Sequence, residues 1–271
     1  MKQIALKWFP VILFVAAGLG YYLLSQHHGE DALPPKKVNW SFTGLTGTFN
    51  REELQRGFQV YKEVCSSCHS INQLRYGNLA GEGKTIEQIR SSNLGLTMDE
   101  VKALAAEYKV PDTDDDGQPI ERKALPSDRF VKPYPNDKAA RAANNGALPP
   151  DLSLIVKARK GGADYVFSIL TGYQEAPSTI QVGTGRYYNP YFAGGQISMA
   201  PQLTDGRVTY SDGTKATPEQ MAKDVVTFLA WASEPELEER RQLGVKVLWY
   251  LLALSVVFYL AKRKIWAEVK G

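Results

Sequence analysis

Cysteine is scarce in this chain: its 271 residues hold two, Cys65 and Cys68, together with three histidines. One disulfide is therefore the most the chain could close by itself, and no disulfide framework can hold the fold. A four-ligand zinc site is excluded as well, because His27 and His28 lie beside an apolar segment and there is no second cysteine pair. Acidic residues are missing from residues 1–28, where Lys2 and Lys7 are the charged side chains, and Glu268 stands alone against seven basic residues in 240–271. Of 32 basic and 29 acidic side chains, 23 and 28 remain for residues 29–239, a net charge of −5 between basic ends. A nucleic-acid binder would gather Lys and Arg on its folded part, so the distribution argues against that class.

Charge is also absent from two long runs. Trp8 to Leu24 is seventeen residues without a charge, and Leu243 to Ala261 is nineteen residues with Lys246 alone, followed at once by Lys262, Arg263 and Lys264. A membrane-spanning helix needs about 20 apolar residues, and a lysine near its end can snorkel to the headgroups. The second run therefore reads as a transmembrane helix rather than a buried core helix, with Trp249, Tyr250 and Trp266 as interface aromatics. Basic flanks stay on the cytoplasmic or matrix side, which puts residues 29–239 on the opposite face. Residues 1–28 fit either a signal peptide or a retained membrane anchor.

What is present reads as helices and long loops. Residues 29–49 have no helical period and read as a tether. A helix is predicted over 50–64, with Asn50 as cap, Glu53 completing a capping box, and Leu54, Phe58 and Tyr61 on one face with Gly57. An interior glycine costs helix stability, so Gly57 is expected to admit a second helix closely. That helix is predicted over 218–232, capped by Thr217 with Gln220 completing its box, and carrying Met221, Val225, Phe228 and Leu229. Shorter helices are expected at Ile86–Ser91, Met98–Tyr108, in "KAARAANNG" and in "SLIVKARKGGADYVFSILTGY".

The two cysteines form the run Cys65-Ser-Ser-Cys68-His69. A thioredoxin-like redox pair opens a helix after a strand, whereas here a helix runs into the motif. C-x-x-C-H after a helix fits c-type haem, with two thioethers and an imidazole on the iron. The open axial position suits methionine, which raises the reduction potential. Met98 opens an amphipathic helix and Met221 lies on an apolar stripe, so both read as packing. Met199, in the loop "GGQISMAPQL", is the expected sixth ligand. Arg141 is the best donor for a buried propionate, since a guanidinium fork suits a carboxylate, although by itself it also reads as a solvated helix arginine. Asp112, Asp114, Asp115 and Asp116 form the densest acidic cluster, read either as a docking patch or as a solvated turn.

These stretches together resemble the cytochrome c1 family. The likeness is carried by "RGFQVYKEVCSSCHS" (56–70), "KPYPNDKAARAANNGALPPDLS" (132–153), "GGADYVFSILTGY" (161–173), "YYNPYFAGGQISMAPQL" (187–203) and "DGTKATPEQMAKDVVTFLAWASEPE" (212–236). It departs at Gln202, where the family often has a second proline. The resemblance implies thioethers at Cys65 and Cys68, axial ligands His69 and Met199, a propionate at Arg141, and a haem pocket shaped by Asn144, Pro149 and Pro150. It also implies a mostly α fold: a class I-like c-type cytochrome domain with long loop insertions over 50–239, a C-terminal transmembrane helix over 243–261 with a tail over 262–271, and the N-terminal signal or anchor helix.

The implied function is that of the electron-transfer subunit of ubiquinol–cytochrome c reductase, a complex expected to be dimeric. Such a chain carries one covalent haem c. It would take an electron from the Rieske iron–sulfur protein, beside cytochrome b and membrane lipid, and pass it to a soluble cytochrome c. A bacterial or mitochondrial inner membrane is implied, with the haem domain on the periplasmic or intermembrane side. A membrane-tethered cytochrome c that donates directly to a terminal oxidase would share the haem features.

Overall fold

The computed structural model describes residues 32–81 and 93–269. The helix expected at Ile86–Ser91 and the apolar run Trp8–Leu24 lie outside the described residues. The chain divides into two compact units, one of residues 1–35 with 172–201 and one of residues 36–171 with 202–271.

The larger unit is built on two helices, α1 (Arg51–Glu63) and α6 (Pro218–Ser233). Each starts where its capping residue predicts: Asn50 Oδ1 accepts from the Glu53 amide at 3.1 Å, and Thr217 Oγ1 from the Gln220 amide at 3.2 Å. Neither capping box closes as expected, because Glu53 is drawn across to the facing helix and Gln220 along its own. Glu53 accepts from Lys223 Nζ at 2.7 Å and Thr227 Oγ1 at 3.1 Å, and Gln220 Nε2 donates to Asp224 at 3.0 Å. Glu53 gains a cation as partner and Gln220 a carboxylate, both charge-assisted bonds.

The crossing itself depends on Gly57, as its place on the apolar face predicts. A Cβ there would lie 2.0 Å from the Asp224 carbonyl oxygen and 2.8 Å from Phe228 Cβ. The helix backbones are thus in contact, and the core closes around them. Leu54, Val60 and Tyr61 from α1 meet Met221, Val225, Phe228 and Trp231 from α6, all buried. Beside the crossing lies an ionic clamp. Asp224, with no side-chain exposure, accepts from Arg56 Nε at 2.9 Å and Nη2 at 3.1 Å, while Arg56 Nη1 reaches Asp212 at 2.7 Å.

Between these helices the chain adds α2 (Met98–Ala105), α3 (Asp137–Ala143), α4 (Ile155–Ala158) and α5 (Gly162–Thr171). α2 begins with a complete Thr97–Glu100 capping box and stops short of the expected Tyr108, because β1 (Lys109–Thr113) starts there with Pro111 inside it. Met98 is about half exposed rather than packed, being the first residue of the helix. β1 pairs antiparallel with β2 (Pro119–Lys123), a hairpin that helix-and-loop reasoning missed. Its turn uses the acidic cluster: Asp114 Oδ1 accepts from the amides of Asp116 at 3.1 Å and Gln118 at 2.8 Å, and Gly117 has φ +78°. Asp112 pairs with Arg122, which also grips Asp128. The solvated-turn reading therefore accounts for Asp112 and Asp114.

Residues 36–49, read from sequence as tether, are packed against α5. Trp40 Nε1 donates to Asp164 at 2.7 Å and the Lys36 amide to Ser168 Oγ at 2.8 Å, while Trp40, Phe42 and Phe49 are buried. Three aromatic rings here replace the absent helical period.

α7 (Leu237–Val269) is a single helix of 33 residues, about 50 Å long at ~1.5 Å per residue. Its first turns are fastened to the domain. Leu237 is buried, and Glu238 accepts from the Phe49 amide at 2.7 Å and pairs with Arg51. From Leu243 to Ala261 it is apolar but for Lys246 and largely exposed, with mean hydropathy 2.0 over its best window. It is long enough to cross a ~30 Å hydrocarbon core, and it continues as helix into the expected tail, to Val269.

In the smaller unit, β3 (Tyr187–Tyr188) pairs antiparallel with β4 (Gln196–Ile197). Buried Asn189 closes the connection, its amide donating to the Gly195 carbonyl at 2.8 Å.

Candidate functional site

α1 ends in a tight 3-10 turn, Cys65–Ser67, that carries the motif. The Cys65 carbonyl accepts from the amides of Cys68 at 3.1 Å and His69 at 2.9 Å. Both intervening serines turn back onto carbonyls at the end of α1, Ser66 Oγ to Lys62 at 2.7 Å and Ser67 Oγ to Val64 at 2.9 Å. The last carbonyls of a helix lack intrahelical partners, and these hydroxyls satisfy two of them. Both thiols are free and half-buried, and burial, reinforced by the neighbouring Cys68, pushes the Cys65 thiol up to about 12.

The histidine is held by its Nδ1, 2.8 Å from the Pro150 carbonyl oxygen. A carbonyl only accepts, so Nδ1 carries the proton and Nε2 keeps its lone pair. Ligating histidines are oriented in this way, by a bond at the far ring nitrogen. Burial lowers the His69 pKa, outweighing the opposite pull of Pro150 and Asp151, and so favours the neutral ligand form.

The carbonyl of Pro150 is in turn fixed by a strap joining 69–73 to 150–153. The Leu152 amide donates to the Ser70 carbonyl at 2.9 Å, and the Gln73 amide to Ser153 Oγ at 2.9 Å. Asp151 sits at its centre, with Oδ2 accepting from Ser70 Oγ and the Asn72 amide, each at 2.8 Å, and Oδ1 from the Ser153 amide at 2.9 Å. Burial raises its pKa, but the bonds from Ser153, Asn72 and Ser70 win and hold it below the usual range. Asp151 and Ser153 were not singled out from the sequence; an acid directly after Pro149-Pro150 was the available signal. Pro150 contributes its carbonyl to the site.

Asn144 reaches the cysteines indirectly. Its amide donates to Ala140 O at 2.7 Å and to the Tyr134 hydroxyl at 3.1 Å, and that hydroxyl lies 3.9 Å from Cys68 Sγ. Tyr134 is a second residue the sequence did not disclose. Arg141 is exposed on α3, with Nη1 bonded to the Gly146 carbonyl at 3.0 Å across a turn where Asn145 and Gly146 have φ +50° and +85°. Met199 belongs to the smaller unit, where the Tyr173 hydroxyl holds its carbonyl at 2.9 Å and leaves the thioether outside that bond.

Among the described residues, no group of three or more His, Cys, Asp or Glu converges on a bare ion. The donor set fits a c-type haem instead: two free thiols on one turn, and beside them an imidazole whose Nε2 is unprotonated.

The cytochrome c1 family model matches residues 40–269. The chain belongs to that family. Among its relatives, a Candida albicans protein named cytochrome b-c1 complex catalytic subunit, mitochondrial, is 45% identical over 95% of this chain and 91% of its own length. A Neurospora crassa protein named cytochrome c1, heme protein, mitochondrial, is 49% identical over 89% of this chain and 70% of its own. Cytochrome c1 of Rhodospirillum rubrum is 44% identical over 89% and 90%.

Proposed function

We propose that the chain is the membrane-anchored, haem-bearing electron-transfer subunit of ubiquinol–cytochrome c reductase. The observation that carries this reading is the His69 ring, locked through Nδ1 onto Pro150 directly after two free thiols. Family membership and the names of the relatives support it. A covalent haem c supplies a one-electron couple, and everything else falls to the protein. Cys65 and Cys68 would hold the group through thioethers, and His69, through Nε2, and Met199 would be the side chains that bind its iron. Arg141 meets a propionate, and Asn144, Pro149 and Pro150 wall the pocket. No side chain makes or breaks a substrate bond, so the chain alone is a carrier rather than an enzyme.

In this reading the subunit accepts one electron from the Rieske iron–sulfur protein and passes it to a soluble cytochrome c, within a dimeric complex that includes cytochrome b. α7 anchors it in a bacterial or mitochondrial inner membrane, with the haem domain on the periplasmic or intermembrane side. The net −5 of residues 29–239 steers a basic partner, an effect that weakens as salt rises.

Detergent extraction should yield one c-type haem in this chain, with cytochrome b and a Rieske protein copurifying. Recovery with a terminal oxidase and no cytochrome b would overturn the assignment. Met199→Leu should lower the haem potential on the order of 0.1 V or more, part of the ~0.8 V that axial ligands span. A redox titration showing no change would remove Met199 from the ligand set.

A further inference from the structure

Residues 38–50 carry no charged side chain, and at the middle of this run the chain projects a loop, Thr43 to Thr46, into solvent. At its tip Leu45 is 88% exposed, more than any other large apolar side chain among the described residues, including those along α7. A single exposed leucine is ordinary. The place and construction of this one are not.

The loop is rigidly built. The Thr48 amide donates to the Ser41 carbonyl at 3.1 Å, and Gly44 takes φ +80°. Gly47 closes the loop so tightly that a Cβ there would lie 2.0 Å from the Thr43 carbonyl oxygen. Beneath it Phe42 stacks on Trp40, ring centres 5.6 Å apart, and packs on Phe49 at 5.1 Å.

The loop is also fixed to α7. Arg241 Nη1 donates to the carbonyls of Phe42 at 2.8 Å and Gly47 at 2.7 Å, gripping both ends of the turn. Among the described residues, no α7 side chain beyond Arg241 hydrogen-bonds to the rest of the chain. The loop therefore meets the helix at its last side-chain hydrogen bond to the domain among the described residues. Two residues later, about 3 Å along the axis, the exposed apolar stretch begins at Leu243.

We propose that the Thr43–Gly47 loop is a second membrane contact, with Leu45 seated in the headgroup–acyl boundary of the bilayer that α7 crosses. It goes beyond the electron-transfer reading and rests on α7 as a membrane span. An apolar tip on an uncharged, rigid loop suits that boundary, where a charged loop would be drawn back to water. Arg241 then couples the lipid contact to the domain, setting how the domain stands on the membrane rather than leaving it to swing on one helix.

The test uses the full haem-loaded chain, with Leu45→Cys carrying a nitroxide label, reconstituted alone into phosphatidylcholine–phosphatidylglycerol vesicles. Leu252→Cys is the reference inside the span, and Asp115→Cys, in the exposed β1–β2 turn, the reference in water. Collisions with a water-soluble nickel chelate should be lost at 45 on reconstitution, toward the level at 252, and stay unchanged at 115. A label at 45 that matches 115 while 252 reads lipid overturns the proposal and leaves the span intact. If 252 also reads water, the span and the proposal fall together. Protection at 45 that appears only in the assembled complex assigns the loop to a protein partner and equally overturns it.

Discussion

Gly57→Ala should strongly destabilise the haem domain by forcing its two central helices apart. The new Cβ would be 2.0 Å from the Asp224 carbonyl oxygen, against the ~3.5 Å or more that carbon requires of its neighbours. The obstacle is backbone, so no rotamer change relieves it, and the nearby Phe228 Cβ at 2.8 Å blocks sideways relief. α1 and α6 must move apart, which loosens the buried contacts of Val60, Met221 and Phe228 along the crossing. Overpacking costs roughly 1–3 kcal/mol where side chains can adjust, and alanine returns up to about 1 kcal/mol of helix propensity. With backbone against backbone, a net loss of about 3 kcal/mol or more is expected. In a domain of this size that lowers Tm by roughly 6–12 °C. Thermal melts of the holoprotein followed by circular dichroism read the effect, and an unchanged Tm would show that the helices do not touch at Gly57. Gly117→Ala supplies the contrast. It is strained by φ +78° but meets nothing within 4 Å, so its cost of about 1–2 kcal/mol stays in the hairpin.

The crossing was legible in the sequence because periodicity and a glycine on the apolar face carry it. So was the attachment turn, which is contiguous in five residues. The partners of those residues were not. Glu53 and Gln220 stand in capping-box positions, and sequence spacing gives no sign that Glu53 has a better partner on the facing helix and Gln220 one at Asp224 on its own. Asp151 lies 80 residues from the segment it staples, and nothing local announces that its carboxylate gathers Ser70, Asn72 and Ser153. Residues 36–49 lack a helical period because they pack by separate aromatic anchors. The β1–β2 hairpin shows no alternation because both its faces are largely exposed, so its Asp-Gly turn could be read from the sequence while the strands it joins could not.

Arg56→Met should cost about 3–5 kcal/mol at pH 7, the usual penalty for stranding one charge of a buried pair. Asp224 has no side-chain exposure, so burial raises its pKa above its ordinary value even though Arg56, Tyr210 and Gln220 pull it back. A folded pKa above the unfolded value means that Asp224 favours folding fully below the unfolded pKa. That contribution is lost as pH rises through the folded value. Once ionised, the buried carboxylate is therefore a cost, and Arg56 offsets it. Removing Arg56 raises the Asp224 pKa further, so the variant's deficit should shrink toward pH 5 as the acid protonates. The other groups facing the pair do not replace the guanidinium. Asp212 is itself an anion held by Arg56, and Tyr210, whose ring lies 5.7 Å from the Arg56 guanidinium carbon, is a phenol whose ionisation burial opposes. Arg56→Met combined with Asp224→Leu should recover most of the loss, because two apolar side chains then replace two desolvated charges. Melts of the three proteins between pH 5 and 8 decide the matter. A deficit independent of pH, or a double variant no better than the single, would mean that Arg56 acts through its packing on Tyr210 and its bond to Asp212. Recovery would instead show that the α1–α6 contact tolerates an apolar interface, and that the ion pair's net cost at neutral pH comes from keeping Asp224 dry.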